Sequence, residues 1–293
     1  MKTAVCFITH TFDPELERRY AKLKNDVSGR AQVFLIAEKG APIPEALAAE
    51  THIFEFSRLR TRPARVIGDR LVPGNVHLAF LDFYDHHPGF DRYWFIEFDV
   101  VFTGDWKTLF DAVEDDGSDL VAGYVRSYED ERDWFWWPFM DFPGYGNKSE
   151  WMRAFFPLCR ISRQGLDAVS RRVKDRWTGH HEGLIPTALR EAGLTVSDLG
   201  GDGPQTPENR RHRFYVSVSS NEGEMLLGTL RAAPPHFMPF LSRDTIFHPV
   251  KQRRVPHLND LRKMRQRFRL LFRRGVAFSW VKAYCLFMAR GPR

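Results

Sequence analysis

The sequence predicts an α/β chain built around a mostly parallel sheet, on three observations. Short apolar runs rich in β-formers recur at 3–9, 32–37 and 51–56, and the stretch between the first two has helical character. A longer, nearly continuous apolar run covers 93–98, and 119–125 also reads as a buried strand. Finally, 293 residues that are 43% apolar and 27% charged can close a sizeable core.

The first strand ends in Thr9-His10-Thr11. Asp13-Pro14 then opens a helix expected to run to about residue 26, with Pro14 in its first turn. After the strands at 32–37 and 51–56, Pro73-Gly74-Asn75 introduces a helix with apolar positions Val76, Leu78, Ala79, Phe80, Leu81 and Phe83, broken at His86-His87-Pro88-Gly89. Beyond the strand at 93–98 come a short helix at 106–113 and the strand at 119–125. Residues 126–157 are crowded with aromatics and have no regular period, so they are expected to form a structured loop. A strand at 158–161 and helices at 164–176 and 182–192 complete the expected order, with Gly193 as the last stop. Ligands of such sheets bind at the carboxyl ends of the strands.

Charge divides the chain. Residues 251–293 hold 13 Lys and Arg and one acid, a net +12, so residues 1–250 sum to −6. The basic balance is therefore a property of the tail, a generally basic nucleic-acid-binding domain is a poor reading of residues 1–250, and no specific nucleic acid is expected. The expected organisation is a catalytic domain at 1–250 and a basic amphipathic helical tail at 251–293. Within the tail, 261–288 interleaves arginines with aromatic and aliphatic residues, a pattern suited to peripheral contact with an anionic membrane; packing on the domain and RNA contact are the alternatives. No run of about 18 apolar residues occurs, and the first residues lack a signal-peptide pattern. Cys6, Cys159 and Cys285 are scattered and odd in number, which excludes a disulfide framework. The expected location is cytoplasmic, with the inner face of the cytoplasmic membrane as a peripheral site.

Glu97-Phe98-Asp99 carries the chemistry. Two carboxylates on either side of one residue project to the same face of an extended strand, and at a strand end they can meet a hard divalent cation, Mg2+ or Mn2+, which in turn holds a diphosphate. Here the chain resembles the GT-A-type nucleotide-sugar glycosyltransferases. The likeness is to a branch with Tyr-Trp-x-Ile-Glu-x-Asp followed by Phe-Thr-Gly-Asp-Trp, written here as Tyr93 to Asp99 and Phe102 to Trp106.

The resemblance implies a GT-A fold over 1–250 and a divalent metal, Mn2+ or Mg2+, bound by Asp99. Because the first acid is Glu where the superfamily has Asp, Glu97 is assigned to the metal through water or to the nucleotide ribose. His248, in Phe247-His248-Pro249-Val250-Lys251, is similar to the late His that completes metal or diphosphate binding, and Lys251 would neutralise the diphosphate. Thr9 and His10 fall where such folds contact base or ribose. Glu182 falls where they keep an acceptor-side carboxylate, and would serve as the catalytic base. Asn75 is read as either a diphosphate contact or the cap of its helix. Structural alternatives stand beside these roles: a Pro-fixed turn for His248, a strand-end hydroxyl for Thr9, and a helix N-terminal acid for Glu182. The adjacent His180 and His181 could join Glu182 in a metal site, although neighbouring loop histidines are expected to be solvent-exposed. Trp134 to Trp137 offer faces for a sugar or acceptor, with about half of them expected in the core; Asp130, Glu131 and Asp133 are expected to be solvated.

The expected function is metal-dependent transfer of a sugar from a nucleoside-diphosphate sugar to the hydroxyl of a glycan or lipid-linked acceptor, in surface-glycan or glycolipid synthesis. The alternatives are a sugar nucleotidyltransferase and a non-catalytic membrane or RNA adaptor. The former would show a glycine-rich phosphate loop after the first strand, where Thr9 to Pro14 has no glycine.

Overall fold

The computed structural model describes residues 1–63, 65–217, 228–231 and 243–250; Lys251 and the 251–293 tail lie outside them. The strands are β1 (Thr3–Thr9), β2 (Gln32–Glu38), β3 (Thr51–Phe54), β4 (Arg92–Glu97), β5 (Val101–Phe102), β6 (Leu120–Ser127), β7 (Met152–Ser162), β8 (Val196–Asp198) and β9 (Ile246–Phe247). The helices are α1 (Pro14–Asp26), α2 (Phe56–Leu59), α3 (Val76–His86), α4 (Trp106–Glu114), α5 (Arg163–Lys174) and α6 (His181–Glu191).

Seven strands form one sheet in the order β3-β2-β1-β4-β7-β6-β8. Neighbours pair in parallel except around β7, which runs antiparallel to both β4 and β6. Period-two alternation divides the core. Ala4, Cys6, Phe34, Ile36, Tyr93 and Phe95 face the layer of α3, α5 and α6, while Val5, Phe7, Leu35, Trp94 and Ile96 face that of α1 and α4. Both faces are thus covered, which is why these strands read as continuous apolar runs. α1 begins where expected: the Asp13 side chain accepts from the backbone N–H groups of Glu15 (2.9 Å) and Leu16 (3.0 Å), and Pro14 occupies the first turn.

The expected loop at 126–157 is shorter than the sequence suggested, because residues 152–157 belong to β7. Pairing of β7 with β6 is irregular around Gly123, so no clean period marks this segment. Three further short strands, β5, β8 and β9, had no signal of their own.

Two features of the topology build a crevice. After β1 the chain steps outward to β2 and β3, then returns to place β4 on the other side of β1, so the carboxyl ends of β1 and β4 flank a switch in strand order. Beyond β4, the β5-β9 ribbon pairs Val101 with Phe247 and Phe102 with Ile246, and Val250 donates its N–H to the Asp99 carbonyl at 2.7 Å. That ribbon brings a segment 150 positions away in sequence onto the tip of β4.

Candidate active site

β4 ends at Glu97, and Phe98 and Asp99 form a turn in which Val100 N–H donates to the Glu97 carbonyl at 3.0 Å. The two carboxylates therefore converge through a turn, and not through strand alternation as the sequence suggested. They converge on one imidazole: His248 Nε2 is 3.2 Å from Glu97 Oε2 and 3.5 Å from Asp99 Oδ1. Its Nδ1–H donates to the Leu230 carbonyl at 3.0 Å, which fixes the tautomer and leaves Nε2 facing the acids. Burial disfavours the imidazolium, but the hydrogen bond to Glu97 and the charges of Glu97 and Asp99 outweigh it and raise the His248 pKa. Each of the three residues offers one ligand atom within 4.8 Å of the others.

Asp99 is buried, 5% exposed, on a backbone held from two sides. The Arg19 guanidinium donates to the carbonyls of Phe98 (3.3 Å) and Val250 (3.1 Å). The second half of the motif is structural. Thr103 exchanges hydrogen bonds with Thr245 across the ribbon, and a Cβ on Gly104 would lie 2.2 Å from Asp244 Oδ1. Asp105 caps α4 by accepting from Lys107 N–H at 2.8 Å, and Trp106 is buried. Residues 102–106 thus hold the ribbon that delivers His248.

These acids open into a cavity of about 710 Å3. Thr9, His10, Glu97, Asp99, Glu182 and His248 all line it. Thr9 is buried and its hydroxyl is engaged with the backbone of Thr11, while His10 is exposed and packs edge-on against Phe98 at 4.7 Å. Asn75 does not line the cavity. Its Oδ1 accepts from Ile67 N–H (3.0 Å) and its Nδ2 donates to the carbonyls of Ile67 (2.8 Å) and Arg70 (2.7 Å), so its side chain is committed to the cavity-wall segment at 67–70. It makes no capping bond to α3 either, so neither expected role matches its contacts. Lys251 lies outside the described residues.

Glu182 sits in the first turn of α6, its side chain 12% exposed. The backbone there is set by His180, whose Nδ1 accepts from Glu182 N–H at 3.3 Å. Burial pushes the Glu182 carboxyl up to about 7; Arg153 opposes the rise, Glu97 adds to it, and Arg231 and His248 oppose it. The Arg153 guanidinium, on β7, lies 3.4 Å from Glu182 Oε2 and 2.9 Å from Glu131 Oε2, and Glu131 accepts in turn from the Tyr124 hydroxyl. Trp134 covers Arg153 with its ring centroid 4.6 Å away.

Several sequence expectations are corrected here. His180 and His181 are buried, not solvent-exposed, because Trp136 stacks on His180 at 4.5 Å and the two imidazoles stack on each other at 4.6 Å. Burial keeps both neutral: at His180 the charges of His181, Arg153 and His77 add to it, whereas at His181 Glu97 opposes it and burial still lowers the imidazole to about 4. Glu131 is a buried ion-pair partner at 4% exposure, whereas Asp130 and Asp133 are exposed. Arg153 escaped notice altogether, since it lay in the segment expected to be loop. Trp134 and Trp137 are core residues, while Trp136 lines the cavity and Phe135 is 67% exposed beside it.

No family model matches the chain, and no curated protein does. Among solved structures it is similar to a putative glucose-1-phosphate thymidylyltransferase from Bacillus anthracis, in complex with a sucrose, at 12% identity and a TM-score of 0.36, covering 68% of this chain and 86% of that one. It is also similar to the glycosyltransferase GlyE of Streptococcus pneumoniae TIGR4, at 14% identity and a TM-score of 0.33, over 68% of this chain and 45% of GlyE. An active-site mutant of LgtC is similar at 14% identity and a TM-score of 0.37, over 66% of this chain and 72% of LgtC. Each is a partial match at low identity.

Proposed function

We propose that the cavity binds a nucleoside-diphosphate sugar and transfers its sugar to an acceptor hydroxyl, making the chain a metal-dependent glycosyltransferase of surface-glycan or glycolipid synthesis. The observation that carries this reading is the meeting of Glu97, Asp99 and His248 at the switch in strand order, with Glu182 lining the same cavity. Two carboxylates and an imidazole of fixed tautomer form a donor set that fits Mn2+ or Mg2+. When bound there, such an ion neutralises the charge that develops on the departing diphosphate.

The other steps belong to the chain. Thr9 and His10, at the end of β1, are suited to orient the ribose or base. Glu182, with a carboxyl poised near neutral pH, accepts the proton of the acceptor hydroxyl as that oxygen attacks the anomeric carbon, and a single displacement of this kind inverts the centre. Arg153 holds the Glu182 carboxylate, and the wall supplied by Trp136 excludes water and offers a ring face to a sugar. The 251–293 tail, outside the described residues, is proposed to bring the enzyme to an anionic membrane carrying a lipid-linked acceptor. Among the described residues, no helix is long and apolar enough to cross a membrane.

A panel of sugar nucleotides assayed for Mn2+-dependent hydrolysis and transfer tests the reading. At least one donor should be turned over, with activity lost in Asp99→Ala and transfer reduced about 100-fold or more in Glu182→Gln. No turnover of any donor with either metal would overturn it.

A further inference from the structure

We propose that His52, Asp82 and His86 form a second cation site, suited to Zn2+, that staples the edge strand β3 to α3. None of the three lines the cavity. Asp82 and His86 stand four residues apart on α3 and so share one face of the helix. His52 alternates with exposed Ile53 along β3 and is turned toward that helix, where its ring meets Phe83 edge-on at 5.4 Å. The result is three donors from two elements, each offering one ligand atom within 4.8 Å of the other two.

Their chemistry is that of a borderline cation. Two imidazoles and one carboxylate are a common three-ligand set for Zn2+, with water in the fourth position. His52 Nε2 already lies 2.9 Å from Asp82 Oδ2, close to the spacing of about 3.3 Å that bonds of about 2.0–2.1 Å impose on neighbouring tetrahedral ligands. His86 donates Nδ1–H to the Asp82 carbonyl at 2.8 Å, so its Nε2 is the unprotonated nitrogen that a metal requires. The nearby guanidinium of Arg62 is spoken for by Asp85 at 2.8 Å and stands 3.9 Å from the opposite oxygen, Asp82 Oδ1. Asp82 and Asp85 outnumber Arg62, which leaves the surroundings net negative when the histidines are neutral.

The test uses the full chain carrying Asp99→Ala and His248→Ala, so that the cavity cluster is removed, titrated with Zn2+ by calorimetry and with Co2+ by visible absorption. This protein should bind Zn2+, melt at a higher temperature with it, and give the absorption of four-coordinate Co2+. His86→Ala, at an exposed position that leaves the fold intact, should weaken Zn2+ at least tenfold and abolish the Co2+ signal; His52→Ala should do the same. Binding that is unchanged by His86→Ala, as the His180-His181-Glu182 cluster would give, overturns the proposal. So does failure of the double variant to bind Zn2+ at all. Either outcome leaves the glycosyltransferase reading untouched, since that rests on the cavity.

Discussion

Glu182→Gln should make the protein more stable above neutral pH while depriving it of its base. The carboxyl titrates near 7 in the fold against an ordinary value of 4.5, chiefly because burial penalises its charge. A raised folded pKa means that the native state binds the proton more readily than the unfolded chain. The stability contributed by the neutral acid is therefore complete below about pH 4.5, falls as pH rises, and is lost above about pH 7. The gap corresponds to about 3 kcal/mol. Glutamine is an uncharged isostere that escapes this penalty, but it weakens the 3.4 Å contact to Arg153, which then relies on Glu131 at 2.9 Å. The net gain expected at pH 8 is about 1–3 kcal/mol, shrinking to within about 1 kcal/mol at pH 5. Urea unfolding of both proteins at the two pH values measures it. A Gln variant that is less stable at pH 8, or a difference that does not change between pH 5 and 8, would refute an elevated Glu182 pKa.

Arg153→Gln removes the nearest cation, so the acidic limb of the kcat/KM profile should move up by about one pH unit or more, with Arg153→Lys restoring part of the difference. Trp136→Ala should raise the acceptor KM several-fold and leave donor hydrolysis nearly unchanged, because its ring lines the cavity where it stacks on His180 at the start of α6, beside Glu182; equal effects on both would contradict this. Asp198→Ala should cost about 3–5 kcal/mol in urea unfolding. That buried carboxylate accepts from the N–H groups of Val125, Gly200 and Gly201, each at 2.9 Å, and from the Tyr215 hydroxyl at 2.7 Å, and all four would lose their acceptor.

What could be read in the sequence was local. The apolar runs of β1, β2 and β4, the Asp13-Pro14 start of α1 and the acids at the tip of β4 each leave a signature within a few residues. Three kinds of feature left none. The β5-β9 ribbon has two residues per strand, and its register is set by Thr103, Gly104 and Asp99 meeting a segment about 140–150 positions later. The Tyr124-Glu131-Arg153-Glu182 chain depends on an irregular pairing of β6 with β7, where Tyr124 takes a left-handed backbone (φ 51°) that no periodicity announces. Asn75 looked like a cap because of where it stands, yet tertiary structure offered its amide three backbone partners in the 67–70 segment. Burial of His180 and His181 has the same origin, since it required Trp136 to fold over His180 and Phe156 to pack against His181.

Whether the acids and imidazole at the tip of β4 hold a diphosphate through a cation is tested directly by one calorimetric comparison. Uridine and guanosine diphosphates are titrated into the full chain with Mn2+ and with chelator, in parallel with Asp99→Ala. One nucleotide should bind at least tenfold more tightly with Mn2+, and the gap should vanish in Asp99→Ala. Equal affinity with and without the metal, or a gap that survives the substitution, would contradict cation-mediated diphosphate binding at the tip of β4.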